Sequence, residues 1–182
     1  MTTAQERKTS IPTGVWSSDP VHTHIGFEVS HAGATFKGDF DEFDATLDNT
    51  GNEPKLSGSV PVASLKVRDE QLQGHLASPD FFDTARYPEI RFESSSVRVE
   101  DDKFVVEGEL SIKDVKKSVA AQGSIAEQST YLDGKEHVGI DLETKIDRTD
   151  YGVDWNAELP SGGNAVGDEV TLTVHLELIK ED

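Results

Sequence analysis

The side chains best suited to chemistry are histidines, and three of the six in the chain lie in one stretch, HTHIGFEVSH, at residues 22–31. His22 and His24 are two residues apart, so on a β-strand they project from the same face. Two imidazoles placed in this way can bind a metal such as Zn²⁺, but a site needs at least one further ligand. The sequence places none beside them. We therefore interpret the pair as part of the solvent-exposed face of a strand and predict no metal site.

Other catalytic signatures are scarce. The sequence has no G-x-S-x-G, no H-E-x-x-H, no glycine-rich phosphate loop and no dinucleotide fingerprint. It also has no cysteine, which excludes thiolate metal sites, disulfides and cysteine nucleophiles. Asp150 and Asp154 flank Tyr151 and could form an acid/base pair, but carboxylates at turns are commoner as caps. We predict neither a catalytic residue nor a cofactor.

The composition restricts the partners. The 182 residues suit one domain, and 17 Lys and Arg against 35 Asp and Glu give a formal charge of −18. This charge disfavours nucleic acid and anionic membrane surfaces. The polar start MTTAQERKTSIPTG is unlike a signal peptide, and no apolar stretch is long enough to span a bilayer. We expect a cytoplasmic protein without stable membrane insertion, with a flexible arm at 1–13 and one domain at 14–182.

Hydrophobic alternation with a period of two dominates the rest of the chain. In EVTLTVHLELI, the residues Val170, Leu172, Val174, Leu176 and Leu178 share one face, and polar residues share the other. Such alternation is typical of a strand with one buried face. Eight segments are predicted as strands: 23–31, 35–47, 56–65, 89–99, 103–112, 118–126, 136–147 and 168–179. Regular strands joined by short turns indicate a closed barrel or a sandwich.

A short helical insert is predicted at about 67–85. Leu72 and Leu76 lie four residues apart, which is helical spacing. The sequence Ser78-Pro79-Asp80 has the features of a second helix start, with Ser78 as the cap and Pro79 at the first helical position.

The interior of a barrel of this kind could be either filled by side chains or hollow. Phenylalanines on the strands, mostly in the inward phase, could fill the barrel completely. An eight-stranded barrel can also enclose one elongated ligand. Gly38 and Gly108 fall in the inward phase beside phenylalanines, where they could leave room for a tunnel or mark bulges. The residue pattern leaves both readings open.

Several motifs point to a family. W-x-x-D-P-x-H-T-x-I-x-F-x-V-x-H runs from Trp16 to His31, and F-K-G-D-F-D-E-F-D-A-T-L follows from Phe36 to Leu47. The stretch 63–94, ASLKVRDEQLQGHLASPDFFDTARYPEIRFES, is the most specific, and DRTDYGVDWN and GDEVTLTVHLEL come last. Together these segments resemble the YceI-like family of polyisoprenoid-binding proteins over nearly the whole chain after the arm. The chain departs from the family where Asp114 and Ser118 replace a usual Gly and Pro, which bears on the shape of one hairpin.

This resemblance implies an all-β fold, an extended eight-stranded antiparallel lipocalin-like β-barrel, whose apolar pore holds an isoprenoid chain such as that of a prenyl quinone. It implies binding, carriage or storage rather than catalysis, and a homodimer is left open. The inward set would then contact the ligand: Ile25, Phe27, Val29, Phe36, Phe40, Phe92, Val106, Leu110, Ile140, Leu142, Leu172 and Val174. Polar residues near a rim would orient the head group: His31, Arg148, Trp155 and Asn156.

Two other functions compete with this one. A solid-core barrel would act as a stress-related or interaction module without a ligand, and an enzyme would need inward-facing titratable groups. We rank the enzyme last because few ionisable residues fall in the inward phase. For the head group, the net charge favours a neutral quinone over a pyrophosphate, unless Arg68, Arg86, Arg91 or Arg148 gathers near it.

Overall fold

The computed structural model of the protein describes residues 10–182, more than half of which form β-strands. Within these residues there are twelve strands, one helix and two single-turn 3₁₀ segments. The strands are β1 (Gly14–Ser18), β2 (His24–His31), β3 (Ala34–Phe40), β4 (Asp44–Asn49), β5 (Lys55–Pro61), β6 (Leu65–Lys66), β7 (Glu89–Glu100), β8 (Lys103–Ile112), β9 (Val115–Ile125), β10 (Ser129–Thr130), β11 (Glu136–Asp147) and β12 (Val166–Lys180). The helix is α1 (Glu70–Ala77), and the 3₁₀ segments are Val62–Ser64 and Arg148–Tyr151.

The strands pair antiparallel with their chain neighbours and close into a barrel. Starting from β12, the next three positions round the wall are each shared by two strands: β1 and β2, then β3 and β4, then β5 and β6. β7, β8, β9 and β11 follow, and the pairing of β11 with β12 closes the ring. Three positions each hold two short strands in line, because the chain breaks at 19–23, at 41–43 and at Val62–Ser64. At a fourth position the two-residue strand β10 lies in line with β9, and both pair with β11. Counted by position the barrel has eight strands, which confirms the predicted architecture.

Alternation explains the longest pairing. β11 and β12 stay in register from His137 opposite Ile179 to Asp147 opposite Glu169. Val170, Leu176 and Leu178 of β12 are buried, as the period of two predicts. The predicted segments 103–112 and 136–147 match β8 and β11 in their bounds, whereas β1 and β10 lie outside every predicted segment.

Most of the predicted N-terminal arm, residues 1–9, lies outside the described residues. Its remainder touches the barrel. The side-chain amide of Asn49 donates to the carbonyls of Ile11 and Pro12 at 3.2 and 3.1 Å, and Ile11 packs on the core.

The predicted insert forms one helix rather than two. Asp69 caps α1, since its carboxylate accepts the amide of Leu72 at 2.8 Å. The second helix start predicted at Ser78 is wrong, because Ser78 ends α1: its amide and hydroxyl both donate to the carbonyl of His75. Residues 79–88 then form turns in which Asp83 has a left-handed backbone, with φ of 49°, and such a residue interrupts a helix. No helix among the described residues has the length and apolar character needed to cross a membrane.

The two ends of the barrel have different interiors. At one end Trp16, Leu47, Phe104 and Leu178 are each 0% exposed and belong to a single cluster. We call this the filled end. At the other end, called the helix end, a second cluster joins Phe40 and Leu65 to Leu76 of α1 and Phe81 of the turn that follows it. The insert therefore covers the helix end.

The hairpin between β8 and β9 takes the tightest form. Lys113 and Asp114 connect Ile112 to Val115 and have φ of 51° and 59°. Left-handed backbone at both central residues is the geometry of a type I′ turn, which glycine and asparagine favour. Asp114, one of the two residues that depart from the family pattern, therefore still allows a two-residue hairpin, at some cost in backbone strain, while Ser118 lies on β9.

We expect Asp114→Gly to raise the free energy of unfolding by about 0.5–1 kcal/mol, because glycine adopts this conformation without a Cβ clash. Urea denaturation measures the change. Ser118→Gly is the matched control; on the extended backbone of β9 the same substitution destabilises. An unfolding midpoint for Asp114→Gly at or below that of the natural protein would contradict the strain.

Candidate functional site

A cavity of about 170 Å³ lies inside the barrel at the helix end. α1 and the turn after it form one side, and strands β2, β3, β11 and β12 form most of the rest. We call this cavity the outer chamber. Its inner surface is almost entirely carbon, and its lining residues are Phe27, Val29, His31, Phe36, Phe40, Leu72, Leu76, Phe81, Phe82, Ile90, Ile112, Ile146, Arg148, Tyr151, Val153, Val166, Val170 and Leu172.

A second cavity of about 170 Å³ lies deeper along the axis. This inner chamber reaches the filled end, because its lining residues Ala45, Leu56 and Leu176 belong to the cluster there. Its surface is also almost all carbon. Phe40, Ile90, Ile112 and Leu172 line both chambers and form a waist between them.

The two chambers together reach the lower part of the range of about 300–1,000 Å³ that is usual for ligand pockets. Neither does so alone. The interior is therefore solid at one end and hollow over the rest, with the hollow part shaped for a long apolar molecule.

Most of the sequence-predicted ligand residues face these chambers. The outer chamber holds Phe27, Val29, His31, Phe36 and Arg148. The inner chamber holds Ile25, Phe92, Val106, Leu110, Leu142 and Val174, and Phe40 and Leu172 stand at the waist.

Three of the predicted residues line neither chamber. Ile140 is 1% exposed and lies within the filled-end cluster. The ring of Trp155 packs edge-on against His75 of α1, with centroids 4.7 Å apart. Asn156 ties its own loop to β12, since its side chain donates to the carbonyl of Val166 at 2.7 Å and accepts that residue's amide at 3.0 Å.

The two inward glycines sit beneath phenylalanine rings. A Cβ on Gly38 would lie 2.5 Å from the ring of Phe27, the residue opposite it on β2. A Cβ on Gly108 would lie 2.8 Å from the ring of Phe92 and 2.3 Å from the carbonyl oxygen of Glu93. Gly108 lies opposite Ser94, next to the register shift between Ser94 and Ser96 of β7, which agrees with the bulge that was one of the two readings left open. Both glycines make room for rings that form the chamber wall.

Arg148 is 6% exposed, and its side chain connects the loop after β11 to the start of β12 through hydrogen bonds. Its Nε donates to the carbonyl of Gly167 at 2.7 Å, and Nη1 donates to those of Val153 and Trp155 at 2.7 and 3.0 Å. Nη2 donates to the carbonyl of Val166 at 3.3 Å. Backbone carbonyls therefore accept from four of the five N–H donors of this buried cation.

Of the other predicted arginines, Arg91 borders the inner chamber, whereas Arg68 and Arg86 line neither chamber. Arg91 donates through Nε and Nη2 to Glu89, and its side chain is 70% exposed. Arg86 lies 3.8 Å from Asp83 with 73% of its side chain exposed, and Arg68 is exposed. They do not gather into a pyrophosphate site.

Tyr151 is a chamber residue that sequence reasoning missed as a ligand contact. It ends the 3₁₀ segment after β11, is 2% exposed, and lines the outer chamber. Its hydroxyl is buried without a hydrogen-bond partner among the described residues. Burial, with a smaller contribution from the charge of Asp150, raises the pKa of Tyr151 to about 12. The hydroxyl is thus a neutral donor at physiological pH.

Histidines and carboxylates share the outer wall near the filled end. Asp19, His22 and Glu177 each offer one ligand atom, and these atoms lie within 4.8 Å of one another. Among the described residues this group could hold a divalent cation. His24 instead contacts Asp39, with Nε2 and Oδ1 3.1 Å apart. Each histidine of the H-x-H pair thus has its own carboxylate, and the absence of a metal site stays a prediction.

His137 lies between two carboxylates. Its Nδ1 is 2.8 Å from Glu177 and its Nε2 is 2.9 Å from Asp133, while the residue is only 8% exposed. Burial by itself lowers the pKa of His137, but the bonds to Glu177 and Asp133 outweigh it and raise the pKa above the ordinary 6.5. Only the imidazolium can donate to both carboxylates at once.

We expect the protein to lose stability as the pH rises from about 6 to 9, and His137→Gln to flatten this loss. Because the pKa is raised in the folded state, stabilisation by the charged ring is present in full below 6.5 and is lost as the pH passes the folded-state value. Urea unfolding across this range measures the slope. His175→Gln changes a histidine that is 51% exposed on the same strand pair and serves as the control. Equal slopes for the natural protein and His137→Gln would contradict the assignment.

Comparison with known proteins gives one family. Residues 16–178 match the YceI-like domain. A UPF0312 protein of Photorhabdus laumondii is 29% identical over 164 residues, covering 88% of this chain and 82% of the relative. Protein YceI of Escherichia coli O157:H7 is 28% identical over 136 residues, covering 72% and 71%.

Solved structures show the same fold. BcnA of Burkholderia cenocepacia superimposes with a TM-score of 0.72 at 20% identity, over 90% of this chain and 99% of BcnA. A polyisoprenoid binding domain from Saccharophagus degradans, implicated in plant cell wall breakdown, gives a TM-score of 0.63 at 12% identity, over 93% of this chain and all of that one.

Proposed function

The chain belongs to the YceI-like family, and on that basis we propose that it binds an isoprenoid lipid in its barrel. The tail lies in the inner chamber, and the head group lies in the outer chamber beneath α1. The observation that supports this most is the pair of carbon-lined chambers, which share four lining residues and lie between the helix end and the filled end.

The expected source of affinity is burial. Each methylene-sized group moved from water to an apolar site contributes about 0.8 kcal/mol. A prenyl chain is a series of such groups without charge, and it suits walls built from phenylalanine and aliphatic side chains. A neutral head such as a quinone suits the outer chamber better than a pyrophosphate, since the guanidinium of Arg148 already donates to four carbonyls.

The two competing functions have less support. The solid-core reading describes the filled end but not the hollow part of the barrel. For an enzyme, the buried ionisable side chains lining the chambers are Arg148 and Tyr151. The first is held by backbone carbonyls, and the second has a pKa of about 12. We therefore propose binding, with carriage or storage as the role, rather than catalysis.

Native mass spectrometry of protein freshly purified from its host, followed by lipid extraction, tests the proposal. We expect a co-purifying isoprenoid, or saturable 1:1 binding of an added prenyl quinone to the delipidated protein. Protein that is consistently empty and ignores prenyl quinone would overturn the proposal. Cell fractionation and the mass of the native particle check the predicted cytoplasmic location and the dimer that was left open.

A further inference from the structure

The hydroxyl of Tyr151 is a polar group that the barrel leaves unused. It is buried, and no hydrogen bond to it exists within residues 10–182. A buried donor without a partner costs stability, so proteins rarely keep one without a reason. The residue itself is firmly placed, because Gly152 follows with a left-handed φ of 73° and its amide closes the 3₁₀ turn onto Arg148 and Thr149.

The surroundings of Tyr151 show what kind of atom would satisfy it. The outer chamber is lined by carbon apart from His31 at the rim, Arg148 and Tyr151 itself. Arg148 has given four hydrogen bonds to backbone carbonyls, and Nη2 lies 3.7 Å from Asp168. Four of the five N–H groups of this cation donate to carbonyls, and the fifth is on Nη2, the nitrogen beside the carboxylate of Asp168. Among the described residues, the buried side-chain donor left without any partner is the neutral O–H of Tyr151.

We propose that Tyr151 is the polar anchor of the outer chamber and selects ligands whose head group carries a neutral oxygen acceptor, such as the carbonyl of a quinone. This inference rests on the proposed function, because it names the head group of the lipid that the barrel binds. It assigns the anchoring role to Tyr151 in place of Trp155 and Asn156, whose side chains pack against α1 and β12.

Binding requires a small local movement. The hydroxyl exposes less than 1 Å², so a ligand oxygen reaches it only when neighbouring side chains give way as the chamber fills. Tyr151 lines the outer chamber, and the proposal requires that a head group bound there comes within a side-chain rearrangement of the hydroxyl. The energy recovered by pairing this hydroxyl then favours the ligand that brings an acceptor.

Tyr151→Phe tests the inference, with a prenyl quinone and squalene as the probes. Squalene is an isoprenoid hydrocarbon without a head group. We expect Tyr151→Phe to weaken the affinity for prenyl quinone by about threefold to tenfold, the value of one neutral hydrogen bond, and to leave squalene binding unchanged. The empty variant should be at least as stable as the natural protein, because the unpaired hydroxyl is gone. Tyr131→Phe, at a residue 54% exposed beside His137, is the matched control and should change neither affinity.

The outcomes separate the two levels of the proposal. If neither probe binds the natural protein, the proposed function fails. If both bind and Tyr151→Phe weakens neither, the hydroxyl is satisfied by water and the anchor is overturned while the lipid-binding function stands. A natural protein that prefers prenyl pyrophosphate to prenyl quinone would also overturn it, since the outer chamber would then be taking an anion.

Discussion

Val174→Trp abolishes binding of long prenyl chains, with a loss of at least 100-fold in affinity, and leaves the barrel folded. Val174 is half-buried on β12 and lines the inner chamber. An indole at this position occupies the space that the tail would take. Excluding only four methylene-sized groups from burial, at about 0.8 kcal/mol each, weakens binding more than 100-fold, because about 1.4 kcal/mol is tenfold.

The design includes two controls. Thr173→Trp adds the same side chain to the neighbouring position of β12, which faces the other side of the wall, and should leave binding intact. A quinone with a single prenyl unit fits in the outer chamber and should still bind Val174→Trp. Titration of both ligands by intrinsic fluorescence or calorimetry, with a thermal melt to check folding, gives the result. Long-chain affinity equal to that of the natural protein would mean that the tail does not enter the inner chamber.

Arg148→Met lowers the free energy of unfolding by at least about 3 kcal/mol, the largest stability change that we expect from one substitution outside the filled end. Methionine has a similar length but donates no hydrogen bond. The carbonyls of Val153, Trp155, Val166 and Gly167 would lose their donor. Each buried polar group left unpaired costs about 1–3 kcal/mol, with incomplete additivity.

The contribution of the charge can be separated from that of the hydrogen bonds. Asp168→Asn removes the carboxylate 3.7 Å from Arg148, but the side chain of Asp168 is 61% exposed, so the pair is screened and the change should stay within about 0.5 kcal/mol. Arg148→Lys keeps the charge but presents its donors from a single atom, and should fall between the two. Denaturant unfolding measures all three. If Arg148→Met is as stable as Asp168→Asn, the loop is held by other contacts.

The sequence predicts which face of a strand a residue occupies better than how deep in the barrel it lies. Ile140 and Leu142 share the inward phase of β11 and both belong to the filled-end cluster, yet only Leu142 lines the inner chamber. Alternation carries no information on distance along the axis. That distance depends on which side chains meet across the barrel, here Trp16, Phe104 and Leu178, and these are far apart in the chain.

Residues placed by loops are the least predictable. The sequence indicates no more for Tyr151 than a position between the turn carboxylates Asp150 and Asp154. A single 3₁₀ turn has no hydrophobic period that could indicate a buried side. The breaks in three barrel strands also escape the period of two. Each break depends on contacts between segments, such as the amide of Asp41 donating to the carbonyl of Ser64 at 3.0 Å.

The filled end has a consequence for how cargo is exchanged. If the lipid enters the proposed site from the helix end, it must enter tail first and leave head first, because the filled end blocks passage along the axis. In the proposed complex, a recipient of the lipid would then meet the head group before the tail. The combined depth of the two chambers would therefore limit the length of tail that the barrel encloses, because a longer chain would leave its head group outside.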